Sequence, residues 1–466
     1  MEGFLEARLP PHRSRAPDEV LFQVCRASQR RLVSACLQYT AGMQPDRFLT
    51  HSLQDRRIAS VLHAALEGVD PAALVSQHLG HLALPPHRRR FLFGLGKAAE
   101  KMTRSAADAL GSFEAALVIT KQRSGRARPR TTVLQAGHPV PDRRSLDAGH
   151  AALHFVSQLK EDDLLICLIS GGGSALAAAP VPGVSLQDLQ ALTSAALSSG
   201  ASIEDINVLR RQLDKVKGGG LLSRTKASVI SLILSDVIGD RLEAIASGPT
   251  APNPTGSEDA LEILERFNIR VSASMERAIR VGKPDGSPPA FGRLRNLIVG
   301  NGALAVESAV RQANREGFAA EILDTRIEGE AQVIGRSLAT RLALACGKMA
   351  RPFCILAAGE TTVRLGAQHG RGGRNQELAL AAVDILAGIS DCMLVSLATD
   401  GNDGPTDAAG AVVTGTSRSR AATLGMLAQE YLSRHDAYPF FDALEDLLKP
   451  GYTGTNVNDV MLLIGF

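Results

Sequence analysis

Short apolar runs alternate with amphipathic helical patterns along most of this chain. The apolar runs are residues 91–93, 116–120, 164–169, 228–234, 296–299, 319–323, 353–358, 393–399 and 460–464. Apolar residues recur at helical spacing in residues 18–37, 58–66, 98–110, 145–159, 185–199, 203–215 and 257–267. Continuous apolar strands that alternate with helices are typical of α/β folds with parallel sheets, because such strands are buried on both faces.

The length of 466 residues exceeds what one ordinary core holds, so we expect two domains. Residues 1–17 are rich in proline and arginine without periodicity, and we interpret them as a loose tail. The clearest linker is the Pro-, Gly- and Ser-rich run at 282–292. We therefore predict an N-terminal domain over residues 18–281 and a C-terminal region over residues 293–466.

Composition argues against several classes of partner. A formal net charge of +3 gives no broad basic surface for nucleic acid. No apolar run reaches the roughly 18 residues of a membrane span, since residues 164–181 are interrupted by Gly171–Gly173 and Pro180. The six cysteines lack CxxC or CxxH spacing, so neither a zinc site nor a disulfide framework is indicated. We expect a cytoplasmic protein without nucleic-acid or membrane partners.

Six predicted strands are followed directly by glycine, hydroxyl, amide or carboxylate residues. These segments are Gly94–Lys97, Ser170–Ser174, Ser235–Asp240, Gly300–Gly302, Gly359–Thr362 and Asp400–Gly404. Ligands of open α/β sheets bind beyond the carboxyl ends of the strands. One such segment alone would be a turn, but the six together indicate a shared polar ligand.

The first of these segments begins the pattern Gly94-x-Gly96-x-x-Ala99, which fits a loose dinucleotide fingerprint with alanine at the third position. An NAD site also needs an acidic residue at the end of the next strand, which here ends Thr120-Lys121; NAD is therefore disfavoured and NADP is a weak option. Lys97 is followed by alanine, so the segment is not a P-loop either. A lysine where a helix begins suits a phosphate; the alternative is an ordinary surface lysine.

The second segment consists of Gly171, Gly172 and Gly173 between Ser170 and Ser174. Its backbone N–H groups have no Cβ nearby to keep a phosphate away. The segment lacks the G-x-S-x-G pattern of a serine nucleophile. We predict a phosphate cradle here in preference to a plain turn.

A third glycine-rich loop precedes a helical pattern that begins near Asn375. It contains Arg371 and Arg374, whose fork-shaped donors suit phosphate or carboxylate. The first-turn N–H groups of a helix lack intrahelical partners, so we predict an anion site at this helix start. The alternative is a glycine-rich turn with two solvated arginines.

Asp236 and Asp400 lie close to the ends of their strands and are candidates for a metal ligand or a general base. Mg²⁺ takes only one or two carboxylates from a protein when phosphates and water supply the rest. Anion cradles, a lysine, arginines and aspartates, without a cysteine or serine nucleophile, indicate phosphoryl transfer, which depends on positioning and charge neutralisation.

The ordered motifs resemble those of the class II glycerate kinases, whose C-terminal domain is named for its MOFRL motif. The matching stretches are Gly94–Ala99, Gly137–Asp142, Ile169–Leu176, Asn207–Arg210, Lys217–Gly220, Leu232–Asp240, Ala246–Thr250, Gly359–Thr361, Gly370–Leu378, Thr399–Gly410 and Thr453–Asp459. They cover the chain from about residue 20 to its end. Departures are Ala358 and Ala398, in place of glycines common in the family, and the insertion at 367–369.

The resemblance implies a Rossmann-like N-terminal domain, a smaller α/β MOFRL domain over about residues 350–466, and a cleft between them. It implies phosphorylation of D-glycerate by ATP with Mg²⁺, at a hydroxyl that the sequence does not specify. Lys97 matches an essential lysine of the family. Arg374, preferred to Arg371, matches an essential arginine that would clamp the glycerate carboxylate or the charge of the transition state.

The resemblance also leaves alternatives open. Members of this family have been called hydroxypyruvate reductases, so an NAD(P)H-dependent reductase is the second hypothesis. A non-enzymatic sugar-acid binding module is the third. A homodimer is among the assemblies that fit, and an organelle address stays open.

Overall fold

The structure, a computed structural model, describes residues 43–123, 128–282, 293–366 and 368–466. The predicted tail at 1–17, the predicted helix at 18–37 and nearly all of the predicted linker at 282–292 lie outside the described residues. Within the described part of the chain, the strands form two six-stranded sheets.

The first sheet is entirely parallel, with strand order β3-β2-β1-β4-β5-β6. Its strands are β1 (Arg89–Leu95), β2 (Ala115–Thr120), β3 (Thr131–Gln135), β4 (Asp163–Ser170), β5 (Ser228–Leu234) and β6 (Leu294–Gly300). This is the Rossmann order. The direction of winding reverses between β1 and β4, and ligands of such sheets bind at this topological switch point.

The second sheet is mixed, with strand order β11-β10-β9-β12-β8-β7. Its strands are β7 (Ala319–Glu330), β8 (Phe353–Thr362), β9 (Cys392–Ala398), β10 (Gly410–Thr414), β11 (Leu447–Leu448) and β12 (Asp459–Gly465). β12 runs antiparallel between β8 and β9, so β8 and β9 are parallel to each other and end at the same edge of the sheet.

Helices cover the faces of both sheets. They are α1 (Arg56–Glu67), α2 (Pro71–His81), α3 (Ala99–Leu110), α4 (Arg143–Ser157), α5 (Gly173–Leu176), α6 (Leu186–Ser198), α7 (Ile203–Leu213), α8 (Ser257–Arg266), α9 (Ala273–Val281), α10 (Gly302–Arg315), α11 (Ala331–Lys348), α12 (Arg374–Leu386), α13 (Ser417–Thr423), α14 (Ala428–Ser433) and α15 (Ala437–Ala443), with 3₁₀ turns at Pro45–Phe48, Leu222–Arg224 and Ile245–Ser247. Among the described helices, no single one has both the length and the apolar character to cross a membrane. The bent pair α1 and α2 meets that test only when its two helices are counted together.

One apolar cluster joins the two sheets. It contains Leu92 and Ile166 from the first sheet together with Leu356 and Val395 from the second, all fully buried. Residues 43–466 accordingly form one compact unit. The two sheets share a core.

The predicted α/β class, with a parallel sheet and a second sheet, is confirmed. The domain limits at 18–281 and 293–466 stay predictions; β6, which follows the linker at 282–292, pairs with β5 in the first sheet. The second sheet begins only at β7. The patterns also failed to predict β3, a partly exposed edge strand whose residues do not form a continuous apolar run.

Candidate active site

The turns after β1 and β4 pack against each other at the switch point. The backbone N–H of Lys97 donates to the Gly171 carbonyl at 2.9 Å, and the N–H of Ala98 donates to Ser170 Oγ at 3.0 Å. Gly96 has a φ of 129°, and a Cβ there would lie 2.3 Å from the Ser170 carbonyl oxygen. A Cβ on Gly94 would lie 2.5 Å from Thr103 Oγ1. Gly94 and Gly96, predicted to bind a cofactor, therefore have a packing role.

The Ser170–Ser174 loop combines close packing with free donors. A Cβ on Gly171 would lie 1.7 Å from Asp236 Oδ2, so only glycine allows that carboxylate to approach. Among the described residues, no acceptor is found for the N–H groups of Gly172, Gly173 or Ser174. Unpaired N–H groups in a glycine turn form an anion-binding concavity.

Asp236 follows β5 and faces this loop. Its Oδ2 accepts a hydrogen bond from Asn456 Nδ2 at 3.3 Å, and its carbonyl accepts one from Asn458 Nδ2 at 2.7 Å. No ion pair of Asp236 is found in the described part of the chain. Burial raises the pKa of Asp236, although Lys97 and Arg374 oppose the shift. A desolvated carboxylate that lies near cations, but forms no ion pair with any described residue, suits a metal ion or proton transfer.

Lys97 connects the two sheets. Its Nζ lies 3.7 Å from Asp400 Oδ2, at the end of β9, and both side chains are about one-quarter exposed, at 26% and 25%. His138 lies beside the same turn, since a Cβ on Gly172 would be 3.2 Å from its Nε2. Burial, with the positive charges of Lys97 and Lys121, lowers the pKa of His138 to about 4. His138 is therefore a neutral neighbour of Lys97 at pH 7.

Arg374 lies at the start of α12 and binds two carboxylates. Its Nε and Nη2 donate to the Asp459 carboxylate at 2.6 and 3.0 Å, and its Nη1 donates to Glu360 Oε1 at 2.6 Å. Burial alone would lower the pKa of Arg374, but these carboxylates outweigh burial and raise it well above its ordinary value. The guanidinium thereby connects the end of β8 with the start of β12.

The predicted anion site at the N-terminus of α12 is wrong, because a carboxylate of the protein already occupies it. The N–H groups of Asn375 and Gln376 donate to Asp403 at 3.1 and 2.9 Å, and Gln376 Nε2 adds a bond at 3.0 Å. A Cβ on Gly373 would lie 2.3 Å from Asp403 Cγ. The pKa of Asp403 is about 6, because burial raises it more than the N–H groups lower it.

Arg371, the other predicted arginine, is turned away from Lys97 and Asp236. Its guanidinium stacks on the Tyr438 ring, 3.9 Å from the ring centroid, and Nη2 lies 3.9 Å from Asp407 Oδ1. The side chain is 54% exposed and is not among the residues that line either cavity described below. Two arginines from one loop therefore have different environments.

Two cavities meet at the strand ends. The first, about 500 Å³, is lined by Lys97, Arg374 and Asp400 among others. The second, about 720 Å³, is lined by residues from the Gly172–Ser174 segment and from α7. Asp236, Glu360 and Thr362 line both cavities. The predicted residues Lys97, Asp236, Asp400, Arg374, Gly172 and Ser174 thus line one two-chambered cleft.

Several residues of this cleft were missed by sequence reasoning. The sequence pattern places Glu360 at a strand end without indicating its role, and it does not predict that Asp403 caps α12. Glu360 lies near the carboxyl end of β8 and Asp403 follows β9, at an edge rich in carboxylates, and this position is the signal that the sequence offered. No group of three or more potential metal ligands with suitable geometry is found in the described ranges. Asp400 lies 3.7 Å from Lys97 Nζ, and the charge of Lys97 opposes the rise in the pKa of Asp236.

Comparisons with known proteins agree with this architecture. Two family models match: a domain of unknown function, DUF4147, over residues 57–280, and the MOFRL family over residues 353–459. The D-glycerate 2-kinase of Thermotoga maritima is 40% identical over 408 residues, which are 86% of this chain and 96% of that protein. A putative hydroxypyruvate reductase of Agrobacterium vitis is 38% identical over 416 residues, 87% of this chain and 93% of that protein.

A solved structure matches at the level of the whole fold. The crystal structure of glycerate kinase from Thermotoga maritima superimposes with a TM-score of 0.80 and 39% identity, over 87% of this chain and 98% of that one. The identity, the coverage and the fold agree with the resemblance in the motifs. This chain therefore belongs to the glycerate kinase family that carries a MOFRL domain.

Proposed function

We propose that this chain is an ATP-dependent glycerate kinase, which transfers the γ-phosphoryl group of ATP to a hydroxyl of D-glycerate. One observation carries the proposal: Lys97 and Asp236 flank a glycine loop whose N–H groups have no acceptor among the described residues. Phosphoryl transfer requires donors for the phosphate oxygens, a cation near the transferring group and a base for the acceptor hydroxyl.

We assign the binding of phosphate to the loop and to Lys97. The N–H groups of Gly172, Gly173 and Ser174 would hold phosphate oxygens, and Lys97 would neutralise charge on the transferring group. Arg374 would stabilise the charge of the transition state while it keeps Asp459 and Glu360 in place. For Arg371 the contacts with Tyr438 and Asp407 support a structural role instead.

The donor set at the cleft fits Mg²⁺ carried by ATP. Within the described ranges, Asp236 is desolvated without an ion pair, and the contact found for Asp400 Oδ2 is the one with Lys97 at 3.7 Å. One or two carboxylates suffice when phosphates and water complete the coordination. Mg²⁺ bound there supplies additional neutralisation of phosphate charge. We assign Asp400 to the metal and Asp236 chiefly to the hydroxyl proton, because a raised pKa suits a general base.

The alternative is that Asp236 binds the metal ion and Asp400 accepts the hydroxyl proton. Asp400→Asn should raise the Mg²⁺ concentration needed for half-maximal rate, whereas Asp236→Asn should lower kcat at every Mg²⁺ concentration. The opposite pattern would exchange the two assignments.

The 2-hydroxyl of D-glycerate is the proposed acceptor. The relative from Thermotoga maritima, 40% identical to this chain, is named D-glycerate 2-kinase. Phosphorus NMR of the product distinguishes 2-phosphoglycerate from 3-phosphoglycerate. A signal from 3-phosphoglycerate alone would reject this regiochemistry.

The activity is tested by measuring ADP release from ATP, Mg²⁺ and D-glycerate, beside NADPH oxidation with hydroxypyruvate. We expect glycerate-dependent ADP release that EDTA abolishes. The reductase alternative is supported by the name of the Agrobacterium relative, but β2 ends in Thr120 followed by Lys121, with no carboxylate for a ribose. NADPH oxidation without ADP release would favour the reductase, and inactivity in both assays would favour a binding module.

Arg371, in the Gly370–Gly373 loop, and Arg374, the first residue of α12, provide a matched pair. Arg374→Ala should lower kcat/KM by about 100- to 1,000-fold, the scale of a lost transition-state donor. Arg371→Ala should leave kcat/KM within about threefold, which corresponds to a loss of roughly 0.6 kcal/mol in transition-state stabilisation. A larger loss for Arg371→Ala than for Arg374→Ala would reverse the assignment.

A cytoplasmic location, a homodimeric assembly and the lack of nucleic-acid partners stay predictions for this enzyme. A net charge of +3 supports the last of these. The four cysteines in the described ranges (Cys167, Cys346, Cys354 and Cys392) are free thiols, which suits a reducing compartment. Light scattering of the purified protein would test the homodimer.

A further inference from the structure

The second cavity contains a cation that the roles assigned above do not use. Three arginines line this cavity: Arg210, Arg211 and Arg241. Arg241 pairs with Glu204, and Arg211 donates to Asn253 Oδ1 at 2.8 Å and to the Glu243 carbonyl at 3.3 Å. Arg210 makes no ion pair with any described residue. Its one hydrogen bond there, from Nη2 to Thr193 Oγ1, is 3.5 Å long.

The charge of Arg210 has no ion-pair partner among the described residues. The side chain is half-buried, and burial lowers the pKa of Arg210 although Asp214 opposes the shift. Asp214 itself is engaged, since its Oδ2 accepts from Lys217 Nζ at 2.6 Å and from the Ala179 N–H at 3.1 Å. A desolvated guanidinium with open donors at a cavity wall is stabilised when an anion binds.

Helix α7 places a second donor beside Arg210. Asn207 lies three residues earlier, on the same face of the helix, and lines the same cavity. Its Oδ1 accepts a hydrogen bond from Ser247 Oγ at 3.2 Å, and Ser247 Oγ lies 2.8 Å from Ser174 Oγ. Asn207 is buried, and no acceptor is found for its Nδ2 in the described residues. This chain of contacts links α7 to the glycine loop.

The other cations of the cleft already face carboxylates. Lys97 lies near Asp400, and Arg374 binds Asp459 and Glu360. Because Asp236 lines both cavities, a small acceptor whose hydroxyl lies at Asp236 can extend its remaining atoms into the second cavity. Resting on the proposed function, we propose that Arg210, with Asn207, binds the carboxylate of glycerate and thereby selects a hydroxy acid over an uncharged polyol.

The test compares Arg210→Gln and Arg210→Lys with Arg241→Gln, which removes a charge from the same cavity but leaves Arg210 in place. ADP release is measured with D-glycerate and with glycerol, a carboxylate-free acceptor, and D-glycerate binding is measured by calorimetry without ATP. Arg210→Gln should raise the KM and Kd for glycerate about 30- to 100-fold, the scale of a lost charged hydrogen bond. The KM for ATP and the rate with glycerol should stay within twofold, and Arg210→Lys should recover part of the loss.

Each other outcome rejects the proposal in a distinct way. An unchanged glycerate Kd in Arg210→Gln would remove Arg210 from substrate binding. A rise in the KM for ATP, together with an equal loss of rate on glycerol, would assign Arg210 to the nucleotide phosphates instead. A wild-type protein that releases no ADP with glycerate would reject the proposed function before any variant is made. Thermal unfolding of Arg210→Lys shows whether the fold is intact.

Discussion

The Ser170–Ser174 loop and the Gly370–Gly373 loop have similar sequences but different functions in the fold. Each follows a strand, is rich in glycine and leads into a helix, and each was predicted to bind an anion. In the first loop, the N–H groups of Gly172, Gly173 and Ser174 have no acceptor among the described residues. In the second, Asp403 accepts from the first N–H groups of α12.

The difference shows what a glycine accomplishes at such a loop. Gly171 allows Asp236 to approach a loop whose backbone N–H groups have no acceptor among the described residues. Gly373 allows Asp403 to approach the first turn of α12 and to accept from its N–H groups. A helix N-terminus binds a ligand only when no side chain of the protein has already satisfied it. The first loop is therefore the proposed phosphate site, and the second fixes Arg374 in place.

The largest expected effect comes from Lys97, the cation beside the Ser170–Ser174 loop, which we call the open loop because its N–H donors have no acceptor among the described residues. Lys97→Ala should lower kcat/KM for glycerate-dependent ADP release by about 1,000-fold, because it removes charge stabilisation from a partly desolvated site. Lys121→Ala, which removes an exposed lysine near the same turns, should stay within twofold. A Lys97→Ala protein within about threefold of wild type would place the reaction elsewhere.

An intermediate effect is expected where the open loop meets Asp236. Gly171→Ala would put a Cβ 1.7 Å from Asp236 Oδ2 and must displace that carboxylate. We expect kcat/KM to fall about 100-fold, the scale of a small misplacement of a reacting group, with a normal circular dichroism spectrum. Gly80→Ala is the control, because a Cβ there meets no atom within 4 Å. Full activity of Gly171→Ala would separate Asp236 from the chemistry.

The smallest expected effect is on the free energy of unfolding. It concerns the Gly370–Gly373 loop, which we call the closed loop because Asp403 already accepts from the N–H groups that follow it. The pKa of Asp403 is about 6 in the folded protein, above its ordinary value of 3.8, so the folded state binds the proton more tightly than the unfolded state. This contribution to stability is complete below about pH 4 and is lost as the pH rises through 6. Relative to Asp403→Asn, the unfolding free energy of the wild type should therefore fall by up to ~3 kcal/mol across this range.

Urea unfolding of both proteins between pH 4 and pH 7 measures this difference. A wild type that gains stability over the Asn variant as the pH rises would mean that the N–H groups of α12 outweigh burial at Asp403. The Gly370–Gly373 loop would then prefer a charged carboxylate at its helix N-terminus.

The sequence was sufficient to predict the elements that repeat a strong pattern. Buried strands such as β4 and β5 are continuous apolar runs, so their position and the residues after them were predicted. β3 was missed because an edge strand is only partly buried. The occupant of the α12 N-terminus was missed because Asp403 and Gln376 are 27 residues apart in sequence and meet only after β9 pairs with β12. That Arg210 forms no ion pair with any described residue is likewise a property of tertiary packing.

The most direct test of the comparison is a crystal structure with a non-hydrolysable ATP analogue and Mg²⁺. We predict that phosphate oxygens lie against the N–H groups of Gly172, Gly173 and Ser174, beside Lys97, while Asp403 still accepts from Asn375 and Gln376. Phosphates bound at the first turn of α12, with Asp403 displaced, would assign the phosphate site to the Gly370–Gly373 loop instead.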